Sequence, residues 1–273
     1  MSGRAPLLAV TLACAAGFAL TFLLALHTEP GLHDDAALYG SVSGNGLDAL
    51  TRGGATVLRT IDSGTLALEV LLLAFLGLAR GRAAQAAAAA AVVVLSIGST
   101  ELLKHGLPHL GGAVPAGRPA TFPSGHTSVA VSVGLGLVIA SPPVLRAVAA
   151  VAGAAYGAAI GLAVVLLGWH YPSDAVGSFF VCGFWAALAG VALGAAPGRA
   201  AVSARGLAVG ATATAAGLVL AAALAARHAL AVDAVRSRPW IVATGAAFGF
   251  LSVAVFAVLT PLLGERDLGS SAG

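Results

Sequence analysis

Charge is scarce in this chain. Only 9% of its 273 residues are charged, whereas a soluble domain has roughly 25%. So few charges cannot build a water-facing surface, and hydrophobic residues supply 59% of the sequence. The composition excludes an ordinary soluble domain and predicts that most of the chain contacts lipid or other helices.

Cysteine and lysine are also rare. Cys14 and Cys182 both fall inside apolar runs, which favours small packing residues over a disulfide framework. Lys104 is the one lysine among 14 basic residues, and this bias toward arginine, with abundant Ala, Gly and Val, indicates a GC-rich bacterial genome. The basic residues are scattered and form no cluster with interleaved aromatics, so no nucleic-acid partner is expected.

Long apolar runs dominate what remains. A spanning helix needs about 20 such residues, and we find runs at 7–26, 63–79, 84–103, 125–140, 147–167, 173–193, 206–226 and 239–262. The predicted fold class is all-α, a polytopic transmembrane helical bundle with about eight spans. The first run exceeds the roughly 7–15 residues of a signal-peptide apolar region, so we expect it to be retained.

The loops give the orientation. The shortest loops carry Arg80, Arg82 and Arg146, which favours the cytoplasmic side for them and for the N-terminus. The 27–62 stretch then lies on the outer face, where its mixed polar and apolar residues predict short amphipathic helices at the interface. Residues 104–124 and 168–172 share that outer face.

Candidate phosphate-binding residues cluster around the fourth run. Lys104 ends the third run and Arg118 follows in the loop, and an arginine can grip two phosphate oxygens at once. Pro123 stands where a proline opens a helix, whose free N–H groups suit an anion. Ser124 adds a hydroxyl donor, and Gly125 lets an anion approach the backbone closely.

The sixth run opens in the same way, at Pro172, and carries candidate catalytic residues. His170 and Asp174 are four residues apart, so one helical turn places them side by side. A carboxylate on one imidazole nitrogen fixes the tautomer and raises the basicity of the other, as a histidine nucleophile requires. His126, on a separate helix, could protonate a leaving alkoxide as general acid.

These residues resemble the type 2 phosphatidic acid phosphatase family, which includes undecaprenyl-diphosphate phosphatases and vanadium haloperoxidases. Its signature reads K-x6-R-P, P-S-G-H and S-R-x5-H-x3-D. Residues 123–126 match the second motif in full, and His170 with Asp174 matches the catalytic half of the third. The resemblance implies a six-helix core over 1–195 in an actinobacterial-like member. Two further helices then fill 196–263, and a short polar tail fills 264–273.

The resemblance also implies a function. It predicts a lipid-phosphate phosphatase without metal or cofactor, in which His170 forms a phosphohistidine, Asp174 orients it and His126 protonates the leaving group. The substrate would be a phosphatidate-type or polyprenyl phosphate or diphosphate in the bilayer. We expect a bacterial inner-membrane protein with its site on the extracytoplasmic face.

Two departures from the signature stand out. Thirteen residues separate Lys104 from Arg118 where the motif has six, so Arg118 reaches from a longer loop or His109 takes its place. The motif's Ser-Arg pair falls at Ala163 and Val164, so its arginine is absent. One lost charge-assisted contact costs about 1.5–3 kcal/mol.

Other functions stay open. A lipid phosphotransferase would use the same intermediate with an alcohol as acceptor. A non-catalytic lipid-binding or transport relative would fit the missing arginine but leave the histidine nucleophile unexplained. A purely structural membrane protein would leave the whole polar cluster unexplained.

Individual residues also have alternative interpretations. His105 and His109 have a helical metal-ligand spacing, but a glycine and a proline lie between them, so no metal is predicted. Glu69 lies inside the second run, where a charge is often functional, and it is equally open to a protonated or paired state. Trp169 and Tyr171 are interpreted as an interfacial aromatic belt.

Overall fold

The computed structural model describes residues 4–43, 54–56, 58–59, 61–107, 121–194 and 239–263. Throughout these residues the regular structure is helical, with no strand, which confirms the predicted all-α bundle. The helices are α1 (Ala5–His27), α2 (Glu29–Val42), α3 (Ser63–Leu78), α4 (Ala83–Gly106), α5 (Gly125–Ala140), α6 (Pro143–Leu166), α7 (Pro172–Ala192) and α8 (Pro239–Leu262).

Helix length and composition make this a multi-pass membrane protein. The helices α1, α4, α6, α7 and α8 are each long and apolar enough to cross a bilayer. The apolar helices α3 and α5 have 16 residues each, about 24 Å at 1.5 Å per residue; α3 ends one residue before the run predicted at 63–79 does, and α5 coincides with the run predicted at 125–140. The predicted run at 206–226 lies outside the described residues.

Helix α5 is the centre of the bundle. It packs against α4, α6 and α7, and nearly all of its side chains are buried. Small residues bring its backbone close to α6, since a Cβ at Gly134 would lie 2.7 Å from the Cα of Gly153. The ring of Phe256 from α8 fills the space beside this contact.

Helix α1 packs along α7, again through small residues. A Cβ at Gly183 of α7 would lie 2.8 Å from the Sγ of Cys14, and one at Gly17 of α1 would lie 2.5 Å from the ring of Phe180. Cys14 and Cys182 are buried free thiols, so the prediction of packing cysteines is confirmed. The first helix therefore forms a wall of the bundle.

Between α1 and α7 lies the aromatic ring of Phe122, from the loop before α5. It is buried, and its centroid lies 5.2 Å from that of Phe18 and 5.8 Å from that of Phe22, both on α1. On its other side it rests on Gly177 of α7. This wedge fixes the loop that leads into α5.

Helix α2 lies in the stretch where the sequence predicts amphipathic helices. Thr28 caps it by accepting a hydrogen bond from Gly31 N–H at 3.1 Å. His33 and Asp34 are exposed, whereas Asp35, one residue on, is buried. The buried face of α2 contacts α6 and α7, which carry the loop described next.

Candidate active site

Two of the predicted motifs meet where α5 and α7 begin. The N–H of Ser124 donates to the carbonyl of Asp174 at 3.0 Å. The hydroxyl of Ser178 lies 2.8 Å from the Ser124 carbonyl and 3.0 Å from that of Asp174. These contacts join residues far apart in the sequence, so the start of α5 and the start of α7 form one unit.

Ser124 has a structural role in this unit. It is fully buried, and its Oγ caps α5 by accepting from the hydroxyl of Thr127 at 3.1 Å and from the Thr127 N–H at 3.4 Å. The predicted contact of the Ser124 hydroxyl with phosphate stays a prediction, since an oxygen that accepts both bonds still has its own proton to donate. The first-turn amides of α5, at Gly125 and His126, remain as candidate anion donors because helix starts leave such groups without intrahelical acceptors.

The His170–Asp174 pair is formed as its spacing predicts. Nδ1 of His170 lies 3.2 Å from Oδ2 of Asp174, which also accepts from the N–H of Tyr171 at 3.0 Å. Asp174 is 0% exposed and His170 is 9% exposed. In the neutral tautomer that donates its Nδ1 proton to this carboxylate, Nε2 of His170 carries the free lone pair.

The backbone before this pair is held by the end of α6. The N–H groups of Trp169 and His170 both donate to the carbonyl of Val164, at 2.9 and 3.2 Å. The side chain of Val164 is fully buried in the hydrophobic core. The position where the family signature has its arginine is thus apolar packing here. Arg118 and His109, which could compensate, lie outside the described residues.

His126 lies opposite His170. It is the second residue of α5, is half-buried, and lies within electrostatic range of both His170 and Lys104. Its ring packs against Trp169, with centroids 5.4 Å apart, and it forms a hydrogen bond with the backbone of Leu58. Leu58 is fully buried, and its contact with His126 was not predicted from the sequence.

Lys104 is also at this site, together with a carboxylate that the sequence analysis missed. Its Nζ donates to Oε1 of Glu101 at 2.7 Å. A Cβ at Gly125 would lie 3.3 Å from that Oε1 and 3.5 Å from that Nζ. The ammonium therefore lies over the first turn of α5, where phosphate oxygens are expected, and Glu101 lies in the same place. The i,i+3 spacing of Glu101 and Lys104 was a signal that could have found the pair.

Trp169 and Tyr171 have neighbours within the protein. Trp169 covers His126, as described, and Tyr171 stacks on Tyr39 of α2 with ring centroids 4.5 Å apart. The hydroxyl of Tyr39 donates to the carbonyl of Gly168 at 2.9 Å. Both aromatics therefore build the wall of the site, a role that the belt interpretation did not include.

The start of α7 differs from its predicted role as an anion site. Its first-turn N–H at Ser173 donates to Oδ1 of Asp35 at 3.0 Å, and the Ser173 hydroxyl donates to Oδ2 at 2.6 Å. A carboxylate of the protein itself thus occupies this helix N-terminus. Of these two helix starts, that of α5 is left for a phosphate, beside Lys104.

Metal-binding groups are sparse in the part of the chain that the structure describes. Within these residues no three or more His, Cys, Asp or Glu side chains gather closely enough to hold an ion. His105 is exposed, with Nδ1 2.8 Å from the carbonyl of Glu101. Glu69 of α3 has Tyr156 of α6 within electrostatic range.

A family comparison addresses the same residues. The model of the PAP2 superfamily matches residues 85–196, which contain Lys104, His126, His170 and Asp174. Over these residues the chain is similar to the PAP2 superfamily. Searches of curated proteins and of solved structures found no match. Because the PAP2 superfamily generally hydrolyses phosphate esters, this domain and the apolar helices around it support a membrane phosphatase. The actinobacterial-like source stays a prediction.

Proposed function

We propose that this protein is an integral membrane lipid-phosphate phosphatase with His170 as its nucleophile. The observation that carries the proposal is the buried His170–Asp174 pair, 3.2 Å apart, with His126 within electrostatic range of both His170 and Lys104. A nucleophile held by a carboxylate, a second histidine on another helix and a cation over a helix start are the groups that phosphoryl transfer needs.

The first step forms a phosphohistidine. Nε2 of His170 attacks phosphorus, the bond from phosphorus to the lipid oxygen breaks, and protonated His126 gives its proton to that oxygen. Asp174 stabilises the positive charge that develops on the His170 ring. Lys104 and the first-turn amides of α5 hold the phosphoryl oxygens, and Arg118 is proposed to join them.

The second step regenerates the enzyme. His126, now neutral, removes a proton from water as the water oxygen attacks phosphorus. The bond between Nε2 of His170 and phosphorus breaks, and inorganic phosphate leaves. His126 is again protonated, so atoms and charges balance over the cycle without a metal or cofactor.

An amphiphilic substrate suits the surroundings of the site. Leu102, two residues before Lys104 on α4, is 76% exposed, which favours a hydrocarbon environment beside the cation. A phosphate at Lys104 can therefore belong to a molecule whose tail stays in the bilayer. Phosphatidate-type and polyprenyl phosphates or diphosphates meet this requirement. We place the protein in the bacterial inner membrane with this site on the extracytoplasmic face.

The test is phosphate release by purified protein in detergent. The panel contains phosphatidate, phosphatidylglycerophosphate, and a polyprenyl phosphate and diphosphate, each with and without EDTA. We expect release from at least one lipid without an added acceptor, unchanged by EDTA. His170→Ala should abolish it, whereas His33→Ala, whose side chain is 83% exposed on α2, should not.

Each other outcome contradicts part of the proposal. Turnover that persists in folded His170→Ala excludes the histidine nucleophile. Turnover that needs an added alcohol favours the phosphotransferase, and loss with EDTA favours a metal enzyme. If no lipid is hydrolysed, the non-catalytic relative gains support.

A further inference from the structure

We propose that α2 positions the catalytic histidine, through Asp35 and Tyr39. These two residues are one helical turn apart. They form hydrogen bonds with the two ends of residues 167–174, a segment that we call the nucleophile loop. The inference rests on the proposed function, because it assigns α2 a part in the same reaction. Neither residue touches the reacting atoms, so both are positioning residues.

Asp35 holds the end of the loop that carries Asp174. Its two carboxylate oxygens accept from the N–H and the hydroxyl of Ser173, at 3.0 and 2.6 Å, across 138 residues of sequence. The carboxylate is buried, so it has given up water for these contacts, and charge-assisted hydrogen bonds at a helix N-terminus offset that cost. Because Ser173 precedes Asp174 directly, fixing Ser173 fixes the backbone from which the Asp174 carboxylate reaches His170.

Tyr39 holds the other end of the loop. Its hydroxyl donates to the carbonyl of Gly168 at 2.9 Å, and its ring stacks on Tyr171. Gly168 has φ +68°, a left-handed conformation that favours glycine, and a Cβ there would lie 3.2 Å from the Tyr39 hydroxyl. The two residues that flank the His170 turn are thus both tied to α2.

The consequence is geometric. The Asp174–His170 contact is 3.2 Å long, near the upper end of the hydrogen-bond range, so small movements of the loop weaken it. A hydrogen bond to the carbonyl of Val164, at the end of α6, holds the backbone of His170. Asp35 and Tyr39 add restraint from a different helix, and misplacing a catalytic group by about 1 Å is enough to lower turnover strongly.

The experiment compares Asp35→Asn and Tyr39→Phe with wild type in the full-length protein, on the lipid that gives the fastest phosphate release. The matched control is Asp34→Asn, since Asp34 is the neighbouring acid on the same helix with a 77% exposed side chain. We expect each positioning variant to lower kcat about tenfold while KM changes less than about twofold. Asp34→Asn should leave both constants unchanged.

Phosphate release is normalised to the folded fraction, measured by size-exclusion chromatography and thermal unfolding. Wild-type kcat per folded molecule in both variants overturns the inference, even where less protein folds, because α2 would then serve stability alone. If Asp35→Asn does not fold, Tyr39→Phe decides, since it keeps the ring stack and removes one hydroxyl. A wild type that hydrolyses no lipid contradicts the proposed function instead, which separates the two failures.

Discussion

Ser124 and Asp174 are joined backbone to backbone, by a hydrogen bond of 3.0 Å from the N–H of Ser124 to the carbonyl of Asp174. The buried hydroxyl of Ser178 lies against both carbonyls and strengthens the junction. His126 follows one partner of this bond by two residues, and His170 precedes the other by four. The distance between the proposed acid and the proposed nucleophile therefore depends on this junction.

The first prediction concerns a substitution that removes the Ser178 hydroxyl. Ser178→Ala should lower the free energy of unfolding by about 1 kcal/mol, the usual loss for one net hydrogen bond. It should also lower kcat several-fold, because the starts of α5 and α7 gain freedom relative to each other. Thermal unfolding and phosphate release measure the two effects.

Ser252 offers the matched control. Its buried hydroxyl donates to the carbonyl of Ala154 at 2.7 Å and joins α8 to α6. Ser252→Ala should cost comparable stability and leave kcat unchanged. Equal losses of kcat in the two variants would show that the junction at Ser124 has no special part in turnover.

The second prediction concerns the Phe122 wedge. A methyl group at Gly177 would lie 2.6 Å from Cζ of Phe122, so Gly177→Ala must displace that ring. We expect a loss of about 1–3 kcal/mol of stability, typical of overpacking, and a fall in activity as the loop before α5 moves. Phosphate release and thermal unfolding of the purified variant measure both.

Gly98 of α4 is the comparison for this variant. A Cβ there would meet nothing within 4 Å, so Gly98→Ala should be neutral or stabilising by up to about 1 kcal/mol, with activity unchanged. A Gly177→Ala protein as stable and active as Gly98→Ala would contradict the role given to the wedge.

The third prediction follows from the Glu101–Lys104 pair over Gly125. Glu101→Gln removes a negative charge from the place proposed for the phosphoryl oxygens and releases Lys104 from its ion pair. Inorganic phosphate should then inhibit the enzyme more strongly, with an inhibition constant lowered about three- to tenfold in low salt. Glu29→Gln, at the exposed start of α2, should leave that constant unchanged. Weaker inhibition in Glu101→Gln would mean that the carboxylate helps to hold the phosphate site together.

The bundle was predictable because the positions of membrane helices follow from residues close together in the sequence. Runs of apolar residues fix which segments are helical, and the prolines at 143, 172 and 239 mark helix starts. The His170–Asp174 contact was predictable for the same reason, since both residues lie within one turn. The bounds of α5 are those of the run predicted at 125–140, and α3 ends one residue before its predicted run.

Contacts between elements far apart in the chain could not be predicted from the sequence. Nothing local to Asp35 indicates Ser173 as its partner, and nothing local to Leu58 indicates His126. The N-cap role of Ser124 in α5 was not predicted, although serine is typical of that position. Its predicted contact with phosphate stays a prediction.

The packing of α1 against α7 has a consequence for how the protein is made. A membrane protein enters the bilayer from its N-terminus, so α1 is in place long before its partner has been synthesised. Until α7 inserts, the Phe122 ring lacks the Gly177 surface on which it rests, and His126 has no His170 near it. The proposed catalytic centre is therefore completed late in biosynthesis, by the closing of a contact between widely separated parts of the chain, a class of contact that forms slowly.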